Sequence, residues 1–316
     1  MPRFLLGLAI SVVALWWAFR DTDWSAFGAA LLAGNPWLIA LSAAVLLLAV
    51  PIRGTRWRLF LRPMADVPLR VTSEATVVGY FGNNVLPVRM GEMLRAYFLA
   101  RQMNLPVSKV LGTVLLDRMI DMASFLPLVV LLPLVAFVPP ELRTITRLGI
   151  VMAMIPPALI WWLGRKDDVS WAPVRLQRLA GNMRSGFSSL RSGRSLPPIV
   201  LTTVALWTCY YFSLHFGQAA MGLNLTWGQT YSLLVVTTLV IAIPAAPGFV
   251  GTYHAAVIFM LHTVLGHSAG DAQAAAVVLH AIGFVPYTVL GAIFFLKSHI
   301  KLRAVMQQKP TAGEES

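Results

Sequence analysis

Six ionisable residues stand where an apolar chain has least use for them. Arg89, Glu92 and Arg95 are spaced three residues apart, which on a helix lets Glu92 reach either arginine while the other guanidinium stays available. Asp117, Arg118 and Asp121 follow inside the otherwise apolar run from Val110 to Phe137, the two aspartates sharing one face at i, i+4. One unpaired charge at mid-bilayer costs about 2.5–3.5 kcal/mol, so six would together cost more than roughly 15 kcal/mol. They must therefore face one another or water. One reading is an inert ion-pair network; the other is a route for a charged substrate, since burial this expensive beside broken backbone marks transport paths.

The surrounding residues favour an anionic ligand. Pro87 and Gly91 place a helix start beside the arginines, and the exposed amides and positive dipole end of such a start suit phosphate or carboxylate. Guanidinium forks add paired donors that stay charged when desolvated. Asn83 and Asn84 open the same break. The candidate substrate-binding residues are thus Arg89, Glu92, Arg95, Arg118, Asn83 and Asn84, with Glu92 holding the geometry of Arg89 and Arg95. A second break, Pro244 to Val250, contains Pro247 and Gly248 and runs through Gly251 into Tyr253 and His254. Asp117, Asp121, Pro87, Gly91, Pro247, Gly248, Gly251 and His254 are assigned structural or coupling roles, either aspartate being a candidate proton carrier. His215, His262 and His280 read as packing residues.

The elements that position these groups follow from composition. The chain has 316 residues, 57% hydrophobic and 12% charged, where soluble domains carry roughly a quarter charged residues. That describes a polytopic membrane protein. Apolar runs at Phe4–Phe19, Pro36–Ile52, Val110–Phe137, Leu148–Leu163, Pro198–Met221 and Ala272–Leu296 approach the length that crosses a bilayer. Two further stretches are broken: Ser73–Gly82 with Gly91–Gln102, and Trp227–Ile243 with Gly251–Leu265. Each half of the first pair reaches only about half of the hydrocarbon core, and a re-entrant hairpin is the simplest reading. The lone Cys209 excludes an internal disulfide and any cysteine-built zinc site. No phosphate-cradling GxxxxGK[ST] loop or HExxH pair is present and no Ser/His/Asp set can be assigned, so neither a cofactor nor a catalytic residue is named.

Charge sets the expected orientation. Arg53 to Arg70 carries five arginines against Asp66, and Gly164 to Ser195 carries seven bases against Asp167 and Asp168; both read as cytoplasmic. That bias accounts for the formal net charge of +12 without nucleic acid. Leu176, Leu179, Met183, Phe187 and Leu190 recur beside arginines as a helix lying on anionic headgroups would. The alternation closes only if both broken pairs are hairpins entering from opposite sides. The expected fold is all-α: a membrane helix bundle with two oppositely entering re-entrant hairpins, resembling an inverted repeat, with both termini cytoplasmic in an inner membrane.

Asn83, Pro87, Arg89, Gly91, Glu92 and Arg95, then Asp117-Arg118 with Asp121, resemble the paired signatures of the lysylphosphatidylglycerol synthase transmembrane region, a flippase-like membrane domain family. Arg53, Arg56-Trp57 and the break at Pro247, Gly248 and Gly251 are similar to it too. The likeness runs to about Lys301, implying one membrane domain over 1–301 and a polar cytoplasmic tail over 302–316. Two positions depart from it: Phe249 stands where many members have glycine, and His254 where many have glutamate. The larger members' soluble aminoacyltransferase domain is also missing. What the resemblance implies is lipid translocation without lipid aminoacylation; the expected cargo is an anionic or headgroup-modified lipid, a phospholipid or polyprenyl phosphate, and the protein is not expected to be an enzyme. The expected partners are membrane lipids with anionic headgroups, with a second copy of the chain and a lipid-synthesising enzyme as further candidates. Two alternatives remain at this stage: a secondary transporter of a small soluble anion, and a membrane-embedded lipid-modifying enzyme or accessory subunit.

Overall fold

The computed structural model describes residues 2–86, 90–135, 195–242 and 246–298, with single positions at 144, 147, 150, 151, 154, 155 and 158. Pro87, Arg89, Pro244, most of the expected span Leu148–Leu163, the amphipathic stretch 176–190 and the tail lie outside the described residues. The described residues form ten α-helices and no strand: α1 Pro2–Phe19, α2 Trp24–Leu32, α3 Pro36–Leu61, α4 Leu69–Val85, α5 Gly91–Met103, α6 Val107–Val135, α7 Leu196–Ala220, α8 Trp227–Ala242, α9 Thr252–Ile258 and α10 Ala269–Lys297. Three of them, α3, α7 and α10, are long and apolar enough to cross a membrane. At 29 residues, α6 spans about 44 Å at a rise of about 1.5 Å per residue, although three ionisable residues sit in its middle.

The chain divides into two compact units. The first comprises Met1–Ala49, Met122–Ile155 and Val204–Pro286; the second comprises Val50–Asp121, Pro156–Thr203 and Tyr287–Ser316. In the first unit, Leu233, Val257, Leu261 and the small residues Ala272, Ala275 and Ala276 are fully buried together. In the second, Trp57, Phe60, Leu94, Leu99, Val110 and Leu116 do the same.

Within the second unit α4 and α5 form a tightly packed antiparallel hairpin. A Cβ added at Gly79 would meet Arg95, and one at Gly82 would meet the Gly91 Cα at 2.9 Å. At Gly91 it would lie 2.0 Å from the Gly79 carbonyl oxygen. Only hydrogen fits at Gly91, and that is what lets the two backbones touch. The first break is shorter than the sequence suggests. Asn83, Asn84 and Val85 complete the last turn of α4, because an asparagine can continue a helix that nothing yet obliges to end. Leu86 then turns extended, with φ −84° and ψ 142°, as the residue before a proline is forced to do. At 17 residues, α4 is about 26 Å long, well beyond the half-crossing expected of it.

Arg53 and Arg56 call for a second correction. The expected span ends at Ile52 and hands both arginines to a cytoplasmic loop. Instead α3 continues through Pro51 to Leu61, and both are buried, at 4% and 0% exposure. Arg58, Arg62 and Arg70 against Asp66 still leave that segment basic.

Candidate functional site

The site belongs to the second unit and is built by register. Asp117 and Asp121, one turn apart on α6, meet Arg53 and Arg56, which lie three residues apart on α3. Arg53 Nη1 donates to Asp117 Oδ2 at 3.1 Å and to Asp121 Oδ2 at 2.6 Å. Arg56 Nε donates to Asp117 Oδ1 at 2.9 Å, its Nη1 donates to Thr203 Oγ1 at 3.1 Å, and its Nη2 also pairs with Asp121. Two arginines and two carboxylates thus close a cyclic network whose members sit in geometries that charge-assisted hydrogen bonds favour. Breaking one partner of such a buried set is far costlier than the set's net worth.

Arg95 joins from α5. Its Nη1 donates to Asp117 Oδ2 at 3.0 Å, and its guanidinium carbon lies 3.9 Å from the centre of the Trp57 ring. Arg95 is 2% exposed, and among the described residues its Nε and Nη2 have no hydrogen-bond partner. The indole face takes part of that demand as a cation–π contact. Trp57 is itself pinned, its Nε1 donating to Thr113 Oγ1 at 2.9 Å. Asp117 therefore answers three guanidiniums at 0% exposure.

Glu92 meets Arg118 instead of bracing Arg95. Its Oε1 lies 3.1 Å from Arg118 Nε, and Asn83 Nδ2 donates to the same oxygen at 3.2 Å. Asn83 also accepts the Gly91 amide at 2.9 Å, capping α5 from the end of α4. Asn84 turns elsewhere, donating to Thr288 Oγ1 on α10 at 2.8 Å. Arg118 follows Asp117 directly, so it projects about 100° around α6. Its side chain is 31% exposed, with Glu92 at 24% and Asp121 at 21%. Its Nη1 lies 3.5 Å from Asp121 Oδ2. Among the described residues, four guanidiniums face three carboxylates, one positive charge in excess.

The second break lies in the first unit and is organised differently. Gly248, Phe249 and Gly251 adopt left-handed φ of 67°, 58° and 91°. Phe249 holds at some steric cost a conformation that glycine adopts without one, which accounts for the glycine expected there by resemblance. The Ala246 amide donates to Ser11 Oγ on α1 at 3.0 Å, and a Cβ at Gly251 would lie 2.3 Å from the Ser11 carbonyl oxygen. His254 caps the short α9, its Nδ1 facing the Gly251 amide at 3.4 Å. His280, expected only to pack, donates from Nε2 to the Gly248 carbonyl at 2.7 Å. Its ring centre lies 4.7 Å from that of His254. The two imidazoles thus brace the broken backbone.

Sequence reasoning left Arg53 and Arg56 out of the candidate site. The available signal was their spacing: two arginines three apart in an apolar helix match two aspartates four apart in another.

Comparison with known proteins places the chain in a family. A family model described as the lysylphosphatidylglycerol synthase TM region matches residues 4–291. The chain is 22% identical over 219 residues to the UPF0104 membrane protein MJ1078 of Methanocaldococcus jannaschii, covering 68% of this chain and 93% of that protein. It is 24% identical over 355 aligned positions to glycosyltransferase AglD of Haloferax volcanii, covering 96% of this chain and 55% of that protein. The chain thus spans little more than half of AglD. No solved structure matches it.

Proposed function

Starting from the fact that the chain belongs to the lysylphosphatidylglycerol synthase transmembrane-region family, we propose that this membrane protein translocates a lipid with an anionic phosphate-bearing headgroup, Arg118 being the side chain that receives the phosphate. The observation that carries this reading is the division of labour within the network. Arg53, Arg56 and Arg95 are at most 4% exposed and committed to aspartates, so they hold structure and field. Arg118 alone among these four stands at an accessible edge, where the excess positive charge meets an incoming anion. A phosphate is neutralised there by a guanidinium fork while its acyl or prenyl tails stay in lipid. Translocation is favoured over catalysis because Asp117, Asp121 and Glu92 are all occupied by arginines, and a committed carboxylate is a poor general base or nucleophile. For the same reason neither aspartate is well placed to carry a proton.

The partner in this reading is the anionic lipid itself, in the cytoplasmic membrane. Native mass spectrometry of the detergent-extracted protein should show a co-purified phospholipid or polyprenyl phosphate that Arg118→Gln no longer retains. Retention of zwitterionic lipid alone, unaltered by that substitution, would count against the reading.

The α4–α5 hairpin and the α8–α9 break are read as re-entrant from opposite faces, with both termini cytoplasmic. Asp66 and Asn224 are exposed. In a Cys209→Ala background, Asp66→Cys should label only from the cytoplasm and Asn224→Cys only from outside. Labelling of both from one side overturns the inverted arrangement.

A further inference from the structure

The close partner of the half-buried Arg118 is the protein's own carboxylate. Glu92 Oε1 sits 3.1 Å from Arg118 Nε, an ion pair without a hydrogen bond to that buried nitrogen, and its negative charge lies against the guanidinium that a bound phosphate would need. The other carboxylate near Arg118 is more distant, at 3.5 Å, and its oxygen is the one that also receives Arg53 at 2.6 Å. Glu92 is therefore the contact that an incoming anion must replace. The displaced carboxylate keeps a hydrogen-bond donor, since Asn83 Nδ2 already reaches it at 3.2 Å and Asn83 is anchored through the Gly91 amide.

We infer that Glu92 is an internal competitor for the headgroup: it occupies Arg118 in the empty protein, swings onto Asn83 when a phosphate arrives, and retakes the arginine as the phosphate leaves. This rests on the assignment of Arg118 to the anionic group. It adds a mechanism that holds affinity low, because a translocator must bind well enough to accept its cargo and weakly enough to release it. Glu92 is a positioning residue that sets affinity and release without touching the lipid.

The consequence runs against the usual effect of removing a site residue. Glu92→Gln keeps the side-chain oxygen that Asn83 donates to but removes the charge that holds Arg118. The full-length protein in non-ionic detergent can be titrated with dihexanoyl phosphatidylglycerol, with dihexanoyl phosphatidylcholine as the zwitterionic control and inorganic phosphate as the headgroup-free probe. Glu92→Gln should bind dihexanoyl phosphatidylglycerol about twofold to fivefold more tightly than wild type, the scale of one partly exposed ion pair given up. In liposomes it should move anionic lipid more slowly, with release now limiting. Glu92→Asp keeps the charge but withdraws it by one methylene, and should shift binding the same way by less; it serves where Glu92→Gln does not fold. Unchanged or weaker binding in the folded Glu92 variants, with Arg118→Gln still weaker, overturns the competitor and leaves the lipid reading standing. Tighter binding of inorganic phosphate with no preference for the lipid keeps the competitor and sinks the lipid reading. Equal binding by wild type and Arg118→Gln removes both.

Discussion

Asp117→Asn should cost the protein most of its stability. Asp117 is completely buried and answers Arg53, Arg56 and Arg95. Its neutralisation leaves three desolvated guanidiniums sharing what Asp121 provides, and breaking one partner of a buried ionic set costs about 3–5 kcal/mol. Total stabilities of about 5–15 kcal/mol leave little after that loss. The variant should appear as a large drop in monodisperse protein on size-exclusion chromatography and in the midpoint of thermal unfolding. Because the defect is excess charge, adding Arg56→Gln should recover part of it, and the double-mutant cycle should show strong coupling between the two positions. Arg70→Gln, at an exposed pair with Glu74, should move the midpoint little, as surface pairs do. An Asp117→Asn protein that melts like wild type would mean that the network does not hold the second unit together.

The cost of charge in an apolar chain made much of this legible beforehand. Asp117, Arg118, Asp121 and Glu92 announce themselves because nothing apolar can offset them singly, and their convergence follows from that cost. Arg53 and Arg56 matched the family pattern but stayed out of the candidate site for a physical reason. Arginines at the end of an apolar run are what positive-inside orientation also produces, and the expected span stopped at Ile52 where α3 runs on to Leu61. Composition cannot separate a buried pair from a solvated one; the facing aspartates can. Pro87 marked the first break, but its boundary moved because the helix ends where proline forces it, at Leu86, while Asn83 and Asn84 remain helical. The roles within the site shifted for a similar reason. Arg95 looked open to substrate by spacing alone, yet α4–α5 packing at Gly79 and Gly91 drives it inward onto Trp57 and Asp117. Arg118, one residue past Asp117, is turned toward the accessible side instead. At the second break, the glycines announced a turn and His254 stood beside it as a structural candidate, whereas His280, which holds Gly248 from 32 residues further on, carried no signal in the sequence.

The second large effect concerns transport with the fold intact. Arg118→Gln removes the accessible guanidinium and leaves three arginines against three carboxylates among the described residues, a balanced set that should melt close to wild type. Losing a charge-assisted phosphate contact worth about 1.5–3 kcal/mol corresponds to roughly tenfold to a hundredfold in rate or affinity. Arg118→Lys should fall between the two, because it keeps the charge and loses the fork.

The most direct test is therefore made in liposomes carrying a trace of fluorophore-labelled phosphatidylglycerol, with a membrane-impermeant reductant added outside. Wild-type protein should expose inner-leaflet lipid to the reductant well above the rate in empty liposomes. Arg118→Gln, folded and reconstituted to the same density, should lose at least about tenfold of that rate. A wild-type rate in the Arg118→Gln liposomes, or no protein-dependent movement at all, would contradict the account.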